Sequence, residues 1–157
     1  MARVVPGSSA ALPVFAIEGF VDIAALPWVT GVVEAVLGPG YRIVEFGFDI
    51  PFDGALLQPW HRDFPMPPET RDDRRLTSLA VNIPLVSITE EMGRFEIAPG
   101  TQYDHDAEFT DRQFPPRERW SRYGERAVQL EMNEGDISVR SALAIHRGRP
   151  NTSGEWR

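Results

Sequence analysis

The sequence contains no cysteine and no lysine. Without cysteine there is no disulfide framework, no thiolate metal site and no thiol nucleophile. All 16 basic residues are arginine, which excludes Schiff-base chemistry and phosphate binding through a P-loop lysine. Positive charge is also in deficit. Sixteen basic against 23 acidic residues give a net charge of −7 and a pI near 5.0. A nucleic-acid partner needs the opposite balance and is not expected. No run approaches the roughly 18 apolar residues that cross a membrane. The early apolar residues are broken by Pro6, Gly7, Pro13, Glu18 and Asp22, with only Arg3 ahead of them. That pattern is not a signal peptide, and the expectation is a cytoplasmic protein with no membrane partner. Histidine is scarce too: His61, His105 and His146 are the full set.

What remains is an ordinary globular composition, 42% hydrophobic and 10% aromatic over 157 residues. That is one domain's worth of chain, able to bury about 68–70% of its unfolded surface. Residues 1–15 read as a loose leader rich in small residues, Pro and Gly. Phe20, Ile23, Leu26, Trp28, Val32, Val33, Val36 and Leu37 recur at close to helical spacing. Thr30 is placed to cap a helix ending at the Gly38-Pro39-Gly40 breaker. Beyond residue 40 the pattern becomes short β-like runs separated by turn clusters: Tyr41–Phe48, Leu56–His61, Ser78–Val86, Arg94–Ala98, Ala127–Glu131, Asp136–Arg140 and Ala142–Arg147. The expectation is a single, mainly β domain. Residues 1–40 supply the leader and helical lead-in, and residues 41–157 the β core. Residues 102–124, charged and aromatic, interrupt the strand series as an inserted loop. They are either a binding loop or a solvated excursion with a helical turn near Pro116–Tyr123.

Two histidines carry the chemistry. In Gln58-Pro59-Trp60-His61-Arg62-Asp63, an extended backbone points His61 and Asp63 the same way. One imidazole nitrogen and one carboxylate oxygen make half a metal site, and a second histidine from a distant strand would complete it. Two nitrogens and one carboxylate on one face of an octahedron leave three positions open, a set that suits non-haem Fe(II). His146, ending the apolar run Ala142–Ile145, is the candidate. A lone His-x-Asp pair is also what a surface pair or a satisfied core histidine looks like. Arg157 follows eleven residues after His146. A turn at Pro150–Gly154 would bring its guanidinium back beside that histidine, where it could hold a carboxylate bidentately.

Three blocks in order resemble the phytanoyl-CoA dioxygenase family of Fe(II)/2-oxoglutarate oxygenases. The first is Gln58–Asp63. The second runs from Leu79 through Pro84-Leu85 and Glu90-Glu91-Met92-Gly93 to Ala98-Pro99-Gly100-Thr101-Gln102. The third leads from Gly135-Asp136 to His146, Asn151, Ser153 and Arg157. The family's Asn-Gly and Ser-His are replaced here by Met92-Gly93 and Thr101-Gln102. The resemblance implies a double-stranded β-helix, a jelly-roll of cupin type. It implies His61, Asp63 and His146 as the catalytic iron ligands, and Arg157 with Ser153 and Asn82 as contacts to 2-oxoglutarate. O2 would be the oxidant, with succinate and CO2 as co-products, and a C–H bond of a small organic substrate would be hydroxylated or otherwise oxidised. Gln58 and Trp60 would flank the ligands, and His105 matches no ligand position. Arg147 and Arg149 would face away from the metal into solvent. The β-like runs number one fewer than the eight strands of a jelly roll, so a C-terminally truncated chain is expected. The alternative on the same fold is a β-barrel binding module without iron chemistry. A cupin that dispenses with 2-oxoglutarate would draw on more histidines. A serine hydrolase would need a Gly-x-Ser-x-Gly segment, which is absent.

Overall fold

The computed structural model describes residues 17–157. The leader expected over residues 1–15 lies outside them. Two compact units divide the chain, one ending at Ile50 and one running from Pro51 to Arg157.

The first unit is helical. The expected helix over residues 20–37 is two: α1 (Phe20–Ala24) and α2 (Pro27–Leu37). Pro27 explains the break. It has no N–H to continue α1, but its fixed φ suits the first position of a new helix, where an N–H has no partner anyway. Leu26 therefore takes the cap position. Thr30 is not the cap; it lies inside α2, with its hydroxyl donating back to the Leu26 and Pro27 carbonyls. The stop at Gly38 is as read, with φ +84. Residues 41–48, expected as a strand, form no ladder. Ile43 and Val44 are 59% and 80% exposed. Phe46 and Phe48 from this stretch stack on Phe20 at 4.2 and 4.4 Å.

The second unit is mainly β. It holds α3 (Pro68–Asp73), β1 (Leu79–Asn82), β2 (Phe95–Ile97), a 3-10 turn at Arg117–Arg119 leading into α4 (Trp120–Gly124), β3 (Val128–Gln129), β4 (Ser138–Ser141) and β5 (His146–Gly148). All pairings are antiparallel. One sheet is β1-β4, the other β3-β2-β5. Among the described residues the sheets do not close into a barrel. The core is Trp60, Ala98, Phe109, Tyr123 and Ile145, with Trp120 and Ala127 against it.

Two β-like runs are realised differently from their expected form, each for a local reason. Leu56–His61 runs antiparallel to β5 but pairs as a strand only at His61, which exchanges both backbone hydrogen bonds with His146 at 3.0 and 2.9 Å. The next pair in that register would need an N–H from Pro59, which has none. Gln58 stands in: its N–H donates to the Gly148 carbonyl at 3.0 Å, and its Oε1 accepts from the Gly148 N–H at 2.7 Å. The apolar run Ala142–Ile145 is a buried turn rather than the start of a strand. The Ala142 and Ala144 amides donate to the backbone carbonyls of Ser78 and Ser141, and the other two are satisfied by side chains. Leu143 N–H donates to Ser141 Oγ, and Ile145 N–H to Thr101 Oγ1 at 2.8 Å. Burying a turn is affordable only when its polar groups are paired in this way.

Candidate metal centre

The segment 58–63 lies along β5, so alternation sorts its side chains between two faces. His61 and Asp63 share one face with His146 and Gly148. Trp60, Arg62 and Arg147 take the other. One ligand atom each from His61, Asp63 and His146 falls within 4.8 Å of the others, a group able to hold a metal ion.

Both imidazoles are aimed the same way. His61 Nδ1 lies 2.9 Å from the Pro59 carbonyl, and His146 Nδ1 lies 2.9 Å from the Ala144 carbonyl. A carbonyl only accepts, so each Nδ1 carries the proton. Each Nε2 then presents its lone pair to the site, an arrangement common to metal-bound histidines. His146 Nε2 sits 3.2 Å from Asp63 Oδ1. A divalent metal between the two would be held by both atoms, so the donor set fits such an ion.

The electrostatics agree. Burial, helped by the nearby His146, pulls His61 down from its usual 6.5 to about 4. Its nitrogen is therefore free of a competing proton at neutral pH. Burial alone would raise the Asp63 carboxyl. The neighbouring His146 and the Arg140 charge outweigh it and hold the group at about 2, ionised. The Phe95 ring stacks on His146 with centroids 5.0 Å apart, and Phe114 stands 5.9 Å from His61. These rings wall the centre with apolar surface.

The remaining expected site residues are placed unequally. The Arg157 guanidinium lies against Gly148: a Cβ built on that glycine would stand 3.5 Å from Nη2 and 3.0 Å from Gln58 Oε1. Gly148 is two residues beyond His146 on β5, so the Arg157 guanidinium lies on the His146 side of that strand. Ser153 hydrogen-bonds within the turn that precedes it, donating to Asn151 Oδ1 at 2.8 Å. Asn82 is exposed at the end of β1, opposite Ser138. Trp60, 1% exposed, is core. His105 is an exposed loop residue, with its Nδ1 accepting from the Ala107 N–H. Arg147 and Arg149 do face away from the centre, but they are not merely solvated. Arg147 Nε lies 2.6 Å from Glu96 Oε2 and Arg149 Nη1 2.8 Å from Glu96 Oε1.

A family model for phytanoyl-CoA dioxygenase matches residues 14–157. The chain belongs to that family. The solved structures it resembles share the fold. EvdMO1 superposes with a TM-score of 0.65 at 23% identity, over 87% of this chain and 30% of that one. EctD from S. alaskensis with bound Fe gives 0.62 at 16%, over 89% and 50%. EctD with 2-oxoglutarate and 5-hydroxyectoine gives 0.61 at 17%, over 87% and 48%. This chain thus spans between 30% and 50% of the length of those proteins. Its mainly β, antiparallel construction is the cupin-type fold that the family resemblance implied.

The sequence did not point to Arg140, Phe95 or Gln113. Arg140 pairs with Asp63 across 77 positions, and Phe95 reaches His146 through the β2–β5 register. Gln113, from the 102–124 loop, donates to the Asp63 backbone carbonyl, while its own carbonyl accepts from the Arg62 N–H. The loop is thereby fastened to the ligand segment, with Phe114 beside His61. Only the isolated aromatic-rich character of that loop hinted at such a role.

Proposed function

We propose that this chain carries the iron centre of an Fe(II)/2-oxoglutarate-dependent dioxygenase acting on a C–H bond of a small organic substrate. The convergence of His61, Asp63 and His146, with both Nε2 atoms turned inward, carries the reading. Iron with a chelated 2-oxo acid would activate O2 for the oxidation and leave succinate and CO2 as co-products.

The chain's own residues supply position and charge. His61, Asp63 and His146 would occupy one face of the metal and leave the opposite positions for co-substrate and O2. Arg157, beside Gly148, would take the distal carboxylate of 2-oxoglutarate, since a planar guanidinium binds a carboxylate through two parallel hydrogen bonds. Gly148 leaves room for the Gln58 side chain, which a Cβ there would crowd at 3.0 Å, beside the Arg157 guanidinium. Ser153 shapes the turn that brings Arg157 back. Phe95 and Phe114 keep bulk water from the metal, which strengthens each electrostatic contact. The 102–124 loop, held by Gln113, would cover the substrate.

The experiment is 2-oxoglutarate consumption with ferrous iron by wild type, H61A, D63A, H146A and R157A. Each ligand variant should fall to background. R157A should bind iron as wild type does, while its apparent KM for 2-oxoglutarate rises about 10- to 100-fold, the loss of a charge-assisted hydrogen-bonded pair. Robust turnover in all three ligand variants contradicts the assignment. An unchanged KM removes Arg157 from the site.

A further inference from the structure

We infer that Arg140 is a positioning residue for the centre. It holds one oxygen of Asp63, so that the carboxylate offers only the other to the metal. The inference rests on the iron reading above and deepens it.

The two Asp63 oxygens have different surroundings. Oδ1 faces His146 Nε2 at 3.2 Å, and Oδ2 accepts from Arg140 Nη1 at 2.8 Å. Arg140 is on β4, opposite Ala80 in the two-stranded sheet, whereas His146 is on β5 of the three-stranded sheet. Asp63 is therefore gripped from both sheets. The Arg140 side chain is 11% exposed, so its pairing with Asp63 is little screened by solvent. Its guanidinium carbon stands 5.1 Å from the Phe95 centroid, and Phe95 stacks on His146 at 5.0 Å. One side chain thus braces the carboxylate directly and the second histidine through an aromatic ring.

The consequence concerns free coordination positions. A carboxylate can bind a metal through one oxygen or two. Through one, the His-Asp-His set leaves three positions, enough for a chelating keto acid and O2. Through two, it leaves one fewer. With Oδ2 committed to Arg140, Asp63 cannot close onto the metal without giving up a charge-assisted hydrogen bond. Partners of this kind to metal ligands are worth about 10- to 100-fold in metal affinity.

Co(II), whose visible spectrum reports its coordination, is the probe. Wild type, R140M and R140Q are titrated with it, and the fold of each is checked by circular dichroism. R140M should bind about 10- to 100-fold more weakly, with altered visible bands. R140Q, shorter and neutral but still a donor, should give a smaller change of the same kind. Should R140M fail to fold, that shift in R140Q decides. Unchanged or tighter Co(II) binding with wild-type bands in a folded variant overturns the role of Arg140 and leaves the iron reading standing. Equal losses in R140M and R140Q overturn it as well, because donation to Oδ2 would then not matter. A wild type that binds no Co(II) overturns both.

Discussion

At the scale of single residues, strand alternation does most of the work. It sends His61, Asp63 and His146 to one face and packs charge on the other. There Glu96, 4% exposed, accepts from Arg147, Arg149 and Gln129, and Arg147 also lies 4.2 Å from the Trp60 ring. Burial alone would raise the Glu96 carboxyl, but the hydrogen bonds from Arg149 and Arg147 hold it below its usual 4.5. A depressed carboxyl contributes stability that is present above its unfolded value and lost as pH falls through the folded one. E96Q should therefore cost about 1–3 kcal/mol near pH 7. The gap between variant and wild type should narrow below about pH 4.5. Urea melts at several pH values measure this; a constant gap down to pH 3 would show that the carboxylate's charge is not what matters. The candidate ligands were legible because His-x-Asp is a local pattern and histidines are few. Glu96 and Arg140 were not, because their partners lie 33 to 77 positions away.

At the scale of elements, turns decide where strands begin and end. Pro27 splits a helix that apolar spacing reads as continuous, and Pro59 reduces a strand to one paired residue. The apolar run before His146 folds as a turn whose amides are satisfied by Ser78, Ser141 and Thr101. Periodicity alone cannot distinguish a buried turn from a buried strand. The Glu90–Arg94 turn shows how close such packing becomes. Gly93 has φ +82, and a Cβ there would meet the Pro150 and Arg149 carbonyl oxygens at 2.3 and 2.4 Å. Both atoms are backbone and belong to the stretch that leads to Arg157. G93A should cost about 3 kcal/mol or more, combining backbone strain with a steric clash. G135A, at φ +81 with open space around it, should cost only about 1–2 kcal/mol. Thermal melts of both variants compare the two, and equal losses would show that close approach at Gly93 adds nothing.

At the scale of the whole molecule, the two sheets matter because the centre draws on both. β4 supplies Arg140, β5 supplies His146, and the 58–63 segment between them supplies His61 and Asp63. Among the described residues no helix is long and apolar enough to cross a membrane. The mainly β character was readable from patterning, and the family with its cupin-type fold from three ordered blocks. How the runs pair was not readable, since register is settled by contacts between distant segments. The central claim is that one site accepts both iron and 2-oxoglutarate. The direct measurement is an anaerobic titration of Fe(II) and 2-oxoglutarate into the purified chain, following the visible charge-transfer band of a keto acid chelated to ferrous iron. The account predicts a saturable band that disappears in H146A. No band from a chain that circular dichroism shows to be folded would contradict it.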